Sequence, residues 1–210
     1  MAPVIGPALF RDQPVLTGEL VRLEPLTASV LEDYLLGLAD PELSRLTGSH
    51  GSLDREQVRQ WLSTRAQQHD RADWAVLRRS DGAFLGEAVL NDLDTDNASV
   101  NYRIWLAGPL AFGKGHGTEA TRLVLDYAFD VAGLHRVSLG VFEFNPRARR
   151  VYEKCGFQLE GRLRHALRWD GQWHDEFVMS VLSTDPRPGA GADLEAPARE
   201  AGPADAQEQS

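Results

Sequence analysis

Polar and apolar positions alternate through Gly18-Glu19-Leu20-Val21-Arg22-Leu23-Glu24, which predicts a half-buried first strand. The period then lengthens. Leu31, Tyr34, Leu35 and Leu38 share one helical face, which Asp40-Pro41 is expected to end. Asp54 and Gln57 have capping-box spacing ahead of a second stripe, Val58, Trp61, Leu62 and Arg65. Trp74 to Leu77 and Phe84 to Leu90 read as strands joined at Ser80-Asp81-Gly82. Val100, Tyr102, Ile104 and Leu106 alternate with Asn101, Arg103 and Trp105, as a central strand requires. A third helix carries Ala120, Leu123, Val124, Tyr127, Ala128 and Val131 on one face and ends at Gly133. Val137 to Phe144 is a strand, Asn145-Pro146 caps a short helix that Gly156 ends, and Asp170-Gly171 turns a final hairpin.

This order of elements leaves both ends irregular. Residues 1–16 hold three prolines and no period, and predict an irregular N-terminal arm. One folded domain spans residues 17–183. From Thr184 to Ser210 the chain turns to Pro, Gly, Ala and acid without apolar period, the composition of a disordered tail. Six acids against two arginines give that tail −4 of the chain's −9, leaving −5 for the rest. Such a balance argues against nucleic acid as a partner. Neither a leader pattern nor an apolar run of about 20 residues occurs, so no membrane role and a cytoplasmic location are expected. The lone Cys155 excludes an internal disulfide and offers no metal cluster. Asp92, Asp94 and Asp96 do not make a calcium loop, because Asn97 and Arg103 stand where glycine and glutamate are needed, and no metal is expected.

The chemistry concentrates in Phe112-Gly113-Lys114-Gly115-His116-Gly117-Thr118, between a strand and a helix. Backbone amides freed of side chains converge on anions, and a helix start adds partial positive charge. The spacing fits neither a Walker loop, since Gly115 follows Lys114, nor a dinucleotide fingerprint, whose third glycine comes one residue later.

Pro109-x-x-Phe112-x-x-Gly115-x-Gly117, followed by a helix, a strand, Asn145 and Tyr152-Glu153-Lys154-Cys155-Gly156-Phe157, resembles the GNAT acetyltransferase superfamily. The resemblance runs from about Thr17 to Leu182, through Gly161-Arg162-Leu163-Arg164 and Asp170-Gly171-x-x-His174-Asp175. It is closer to the RimJ/RimL-like branch, which includes ribosomal-protein N-terminal and polyamine acetyltransferases. It implies an α/β (α+β) fold with a mixed, mostly antiparallel twisted sheet flanked by helices, and acetyl-CoA as acyl donor. In the family the loop amides hold the pyrophosphate, which implies that role for residues 112–118, Phe112 standing where arginine or glutamine is usual. The strand at Trp105, Leu106 and Ala107 would splay from its neighbour, pair with the pantetheine arm and polarise the thioester carbonyl through one amide. Asn145 matches a cofactor contact while also fitting a helix cap, and Tyr152 matches the acid that protonates the leaving thiolate.

The base is open. Asn101 stands where relatives often carry glutamate, so the candidates are Glu87, Glu143 or a water relay. His116 is expected at the surface or on the cofactor, His174 and Asp175 near the acceptor, and Cys155 in the core. The acceptor is a primary amine: a protein N-terminus, a polyamine or another small cation, which the acidic chain would steer. Some relatives pair as homodimers. Two rival readings are a non-catalytic acyl-CoA sensor, suited by Phe112 and Asn101, and a nicotinamide-linked enzyme, which the glycine spacing disfavours.

Overall fold

The computed structural model describes residues 5–6, 8–51, 54–108 and 111–188. Eight strands form one sheet: β1 (Leu16–Thr17), β2 (Val21–Pro25), β3 (Ala72–Arg78), β4 (Phe84–Asp94), β5 (Ser99–Leu106), β6 (Arg136–Phe142), β7 (Gln158–Trp169) and β8 (Gln172–Leu182). Their order is β1-β2-β3-β4-β5-β6-β8-β7, and every pair is antiparallel except β5 with β6. The expected mixed, mostly antiparallel sheet is the one observed.

Helices cover both faces. On one side lie α1 (Leu31–Leu38), α2 (Pro41–Thr47) and α3 (Arg55–Thr64), whose Leu31, Tyr34, Leu43, Val58 and Leu62 bury against Ala75 and Trp105. On the other lie α4 (His116–Asp126) and α5 (Pro146–Lys154), where Ala120, Leu123, Val124, Tyr152 and Cys155 meet Val76, Leu90, Tyr102 and Val137. Alternation along β5 makes this division, sending Tyr102 one way and Trp105 the other.

Two expectations about helices need correction. Asp40-Pro41 ends α1 but also begins α2, with the Asp40 carboxylate accepting from the Glu42 amide at 2.9 Å and proline at the first turn. The third predicted helix passes into a π-helical turn over Tyr127–Val131. The wider turn rotates the end of the stripe, and Val131 is left 47% exposed instead of buried. The capping box at Asp54 and Gln57 and the left-handed turn at Asp170-Gly171 are as expected.

Strand β6 ends at Phe142, so Glu143 and Phe144 lie in the turn before α5. The described part of the N-terminal arm is tied to the domain. Phe10 is fully buried, and Trp74 donates its indole N–H to the Pro14 carbonyl at 2.9 Å. At the other end Arg187 pairs with Asp126 and Asp130, at 2.9 and 2.7 Å. The predicted tail beyond residue 188 lies outside the described residues, as do residues 1–4 and Pro109 of the glycine-loop motif.

Candidate active site

The site follows from one parallel pairing that stops early. Strands β5 and β6 pair only at Ser99–Asn101 with Arg136–Ser138, and beyond this they part. Strand β6 continues against β8 and β5 against β4, so an open wedge forms between them. The cleft there has a volume of about 630 Å³ and is lined by β5 from Asn101 to Leu106, by Gly140 to Phe142 of β6, and by the start of α4. Along β5 the Ala107 amide is already given to the Leu85 carbonyl at 2.8 Å. Alternation then turns the Leu106 and Ile104 amides toward the open edge. Of the predicted trio, Ala107 therefore has no amide to offer the cleft. Trp105 lines the cleft, with its ring packed under the α1–α3 layer against Gly37.

At the wide end of the wedge, Gly113 and Gly115 take left-handed φ angles of 72° and 88°, and Gly115 caps α4. Phe112, Gly113, Gly115, Gly117 and Thr118 line the cleft, while Lys114 is exposed beside it and does not. His116 departs from expectation. It is 5% exposed and absent from the lining, because as the first α4 residue it turns toward the body of the domain. The loop is fixed from behind by Glu119, whose carboxylate accepts the amides of Glu19, Leu20 and Val21 at 2.9, 2.7 and 2.7 Å. Gly18 is required there, since a Cβ would meet that carboxylate at 2.5 Å.

Helix α5 forms the other wall. Asn145 caps it by accepting the Ala148 amide at 3.1 Å, and Asn145 and Tyr152 line the cleft. Tyr152 is 5% exposed, and burial pushes its phenol well above the ordinary range, so it stays protonated. Cys155 is 2% exposed, donates toward the Thr118 carbonyl at 3.6 Å and is pushed up to about 11 by burial, which makes it an inert core thiol. Arg147, Arg150 and Lys154 also face the cleft. The Arg147 guanidinium lies 3.6 Å from the centre of the Phe112 ring. Phe112 thus holds a cation supplied by α5.

The two predicted bases lie off the cleft lining. Glu87 is 1% exposed beneath the α1–α3 layer, where the Tyr34 hydroxyl and Trp105 indole both donate to its Oε2, at 2.9 and 2.7 Å. Burial, and secondarily Asp73, raise its carboxyl. Glu143 is held by Arg162 at 3.1 Å and by the Asp175 amide at 3.2 Å, with His174 Nδ1 3.6 Å away. Asp175 itself binds Arg162 and the His165 amide at 2.5 and 2.7 Å. Asn101 lines the cleft and donates to Asn91 across the strand pair at 3.0 Å.

Sequence reasoning missed Glu176, Arg147, Arg150, Lys154 and the α2 residues Leu43 and Leu46, all of which line the cleft. The i, i+3, i+7 spacing of the three α5 cations was a usable signal. Glu176 had none without the register of β8 against β6.

A glycine-rich helix start, an open strand edge and a buried phenol meet in one wedge. The Acetyltransferase (GNAT) domain family matches residues 21–158, and the chain belongs to that family. Its acyl donor is acetyl-CoA. The probable N-acetyltransferase YjcK of Bacillus subtilis is 32% identical over 58% of this chain and 67% of its own length. Spermidine N(1)-acetyltransferase of Escherichia coli is 30% identical over 54% of this chain and 61% of its own. The spermidine N-acetyltransferase of Vibrio cholerae, solved with CoA and spermine, superposes with a TM-score of 0.73 at 21% identity, covering 79% of this chain and 97% of that one. Among the described residues no helix is long and apolar enough to cross a membrane.

Proposed function

We propose that the protein moves an acetyl group from acetyl-CoA directly to a primary amine bound on the α1–α2 side of the sheet. The observation that carries this is the wedge between β5 and β6, with the start of α4 at its wide end. The pyrophosphate would sit on the amides of residues 113–118, and the pantetheine arm along the Leu106 and Ile104 amides, one of which polarises the thioester carbonyl. Asn145 contacts that arm. Arg147, Arg150 and Lys154 supply the cationic wall for the nucleotide end. Tyr152, kept protonated by its burial, delivers its proton to the departing sulfur.

The acceptor we favour is a polyamine or another small cationic amine. The spermidine acetyltransferases among the relatives support this, as does a chain of net charge −9. A protein N-terminus is the other member of the class. One observation favours a non-catalytic sensor instead: Asn101, which lines the cleft and pairs with Asn91, is a carboxamide that cannot take a proton at neutral pH.

CoA release from acetyl-CoA, measured with a panel of polyamines, alkyl amines and N-terminal peptides beside CoA binding, decides between these. Turnover with polyamines is expected. Tight binding without turnover on any amine would leave the sensor.

A further inference from the structure

We infer that Glu176 is the group that takes the proton of the acceptor amine, an assignment that rests on the acetyl transfer proposed above. Register places it first. Glu176 lies opposite Phe142 in the β6–β8 pair, so both side chains project to one face, and both line the cleft. That face is the one α1–α3 cover. Asn101 and Trp105 point to it too, Asn101 being opposite Ser138, two residues before Gly140.

Room is the second observation. Gly140 lines the wedge with no side chain, and a Cβ there would overlap the Glu176 carboxylate. The carboxylate therefore lies across the α-carbon of the strand that borders the opening. Had residue 140 been alanine, the group would be pushed away.

The third observation is what the other carboxylates are doing. Glu87 is engaged with Tyr34 and Trp105, and Glu143 and Asp175 share Arg162. Among the described residues Glu176 has no ion-pair partner, and burial alone raises its carboxyl. Charged and titratable groups line the same cleft or flank Glu176 from five elements. Arg103 comes from β5, and Arg147, Arg150, Tyr152 and Lys154 come from α5. From α2, Arg45 lies over Phe144 and is occupied by Glu42. On its own strand His174 leans on Phe144 and Glu143. Across the β7–β8 pair Glu176 faces Leu163, which Arg162 and Arg164 flank.

The step balances with these groups. The amine lone pair forms the C–N bond to the thioester carbonyl carbon, and the C–S bond breaks. The ammonium form of the amine first gives one proton to the Glu176 carboxylate, which frees that lone pair; the second N–H proton leaves to solvent as the amide forms, and the Tyr152 hydroxyl proton passes to the sulfur. Solvent afterwards takes one proton from Glu176 and returns one to Tyr152.

The test compares wild type, Glu176→Gln and Glu176→Asp with a primary alkyl amine and with a weakly basic alkoxyamine, over a range of pH. Glu176→Gln should lower kcat about 10²–10³-fold with the alkyl amine and far less with the alkoxyamine, whose nitrogen is already free of its ammonium proton at neutral pH. CoA affinity should stay unchanged. The acidic limb of the pH–rate profile, expected above the ordinary carboxyl value of 4.5, should vanish in Glu176→Gln and persist in Glu176→Asp. Equal losses with both amines, or an intact acidic limb in Glu176→Gln, would overturn the assignment while leaving acetyl transfer in place. A wild type that binds CoA but acetylates no amine would overturn both.

Discussion

Tyr152 joins burial to chemistry in a single side chain. Its phenol is pushed up by loss of water around it, so it enters any reaction protonated. Tyr152→Phe keeps the ring packing against Tyr102 and Phe157 and removes only the hydroxyl. Turnover should fall about 10²–10⁴-fold with CoA affinity held, as steady-state kinetics beside calorimetric binding would show. The Phe112–Arg147 contact makes a complementary prediction. Phe112→Ala should weaken CoA binding by about 0.5–2 kcal/mol without lowering kcat, because a cation at the mouth loses its seat while the reacting end is untouched. A titration of CoA against both proteins checks it.

Glu87 carries a prediction of the opposite kind, about stability. Its folded carboxyl is raised, so the folded state holds its proton more tightly than the unfolded chain does. The stabilisation is full below the ordinary value of 4.5 and is lost as pH rises through the raised value. Wild-type Tm should therefore decline over that interval. In Glu87→Gln, which keeps an acceptor for Tyr34 and Trp105, the decline should flatten. A Tm series against pH reads the difference.

At the scale of elements, the α4 start depends on the β1–β2 turn through Glu119. Three amides on one carboxylate orient the helix and so the glycine loop. Glu119→Ala should cost about 3 kcal/mol of stability in chemical denaturation and raise KM for acetyl-CoA, because the loop loses its anchor. Most elements were legible from periodicity: the strands, the capped α3 and the Asp170-Gly171 turn. The α2 helix was not, because Asp40-Pro41 signals an end and a beginning with the same two residues. Nor was the π turn, since an inserted residue leaves the apolar spacing intact while rotating Val131 outward.

The candidate site was legible where it is local and illegible where it depends on register. The glycine loop, Asn145 and Tyr152 lie in continuous motifs, and all of them but Lys114 and His116 reach the cleft. Glu87 was singled out because it interrupts an apolar strand, yet that interruption is a buried hydrogen-bonded pair of donors on a carboxylate. Glu176 becomes visible only after β8 is laid against β6.

For the whole molecule, the two faces of the sheet divide the work: α4 and α5 face the proposed acyl donor, and α1 and α2 face the proposed acceptor. The wedge lets the two meet through the sheet. Arg187 ties the chain beyond β8 back to the donor face through Asp126, a carboxyl raised by burial. Removing that cation with Arg187→Ala leaves Asp126 buried beside Asp130 without its partner, and stability should drop by about 1–3 kcal/mol.

The parting of β5 from β6 also has a consequence for exchange with solvent. A strand edge in the middle of a sheet is normally sealed by its neighbour, but the Ile104 and Leu106 amides face the gap left where β5 and β6 part. In deuterated buffer those two amides should exchange faster than Arg103 and Trp105, which β4 protects. Saturating CoA should slow them selectively, the bound pantetheine arm behaving as a temporary ninth strand built without amino acids.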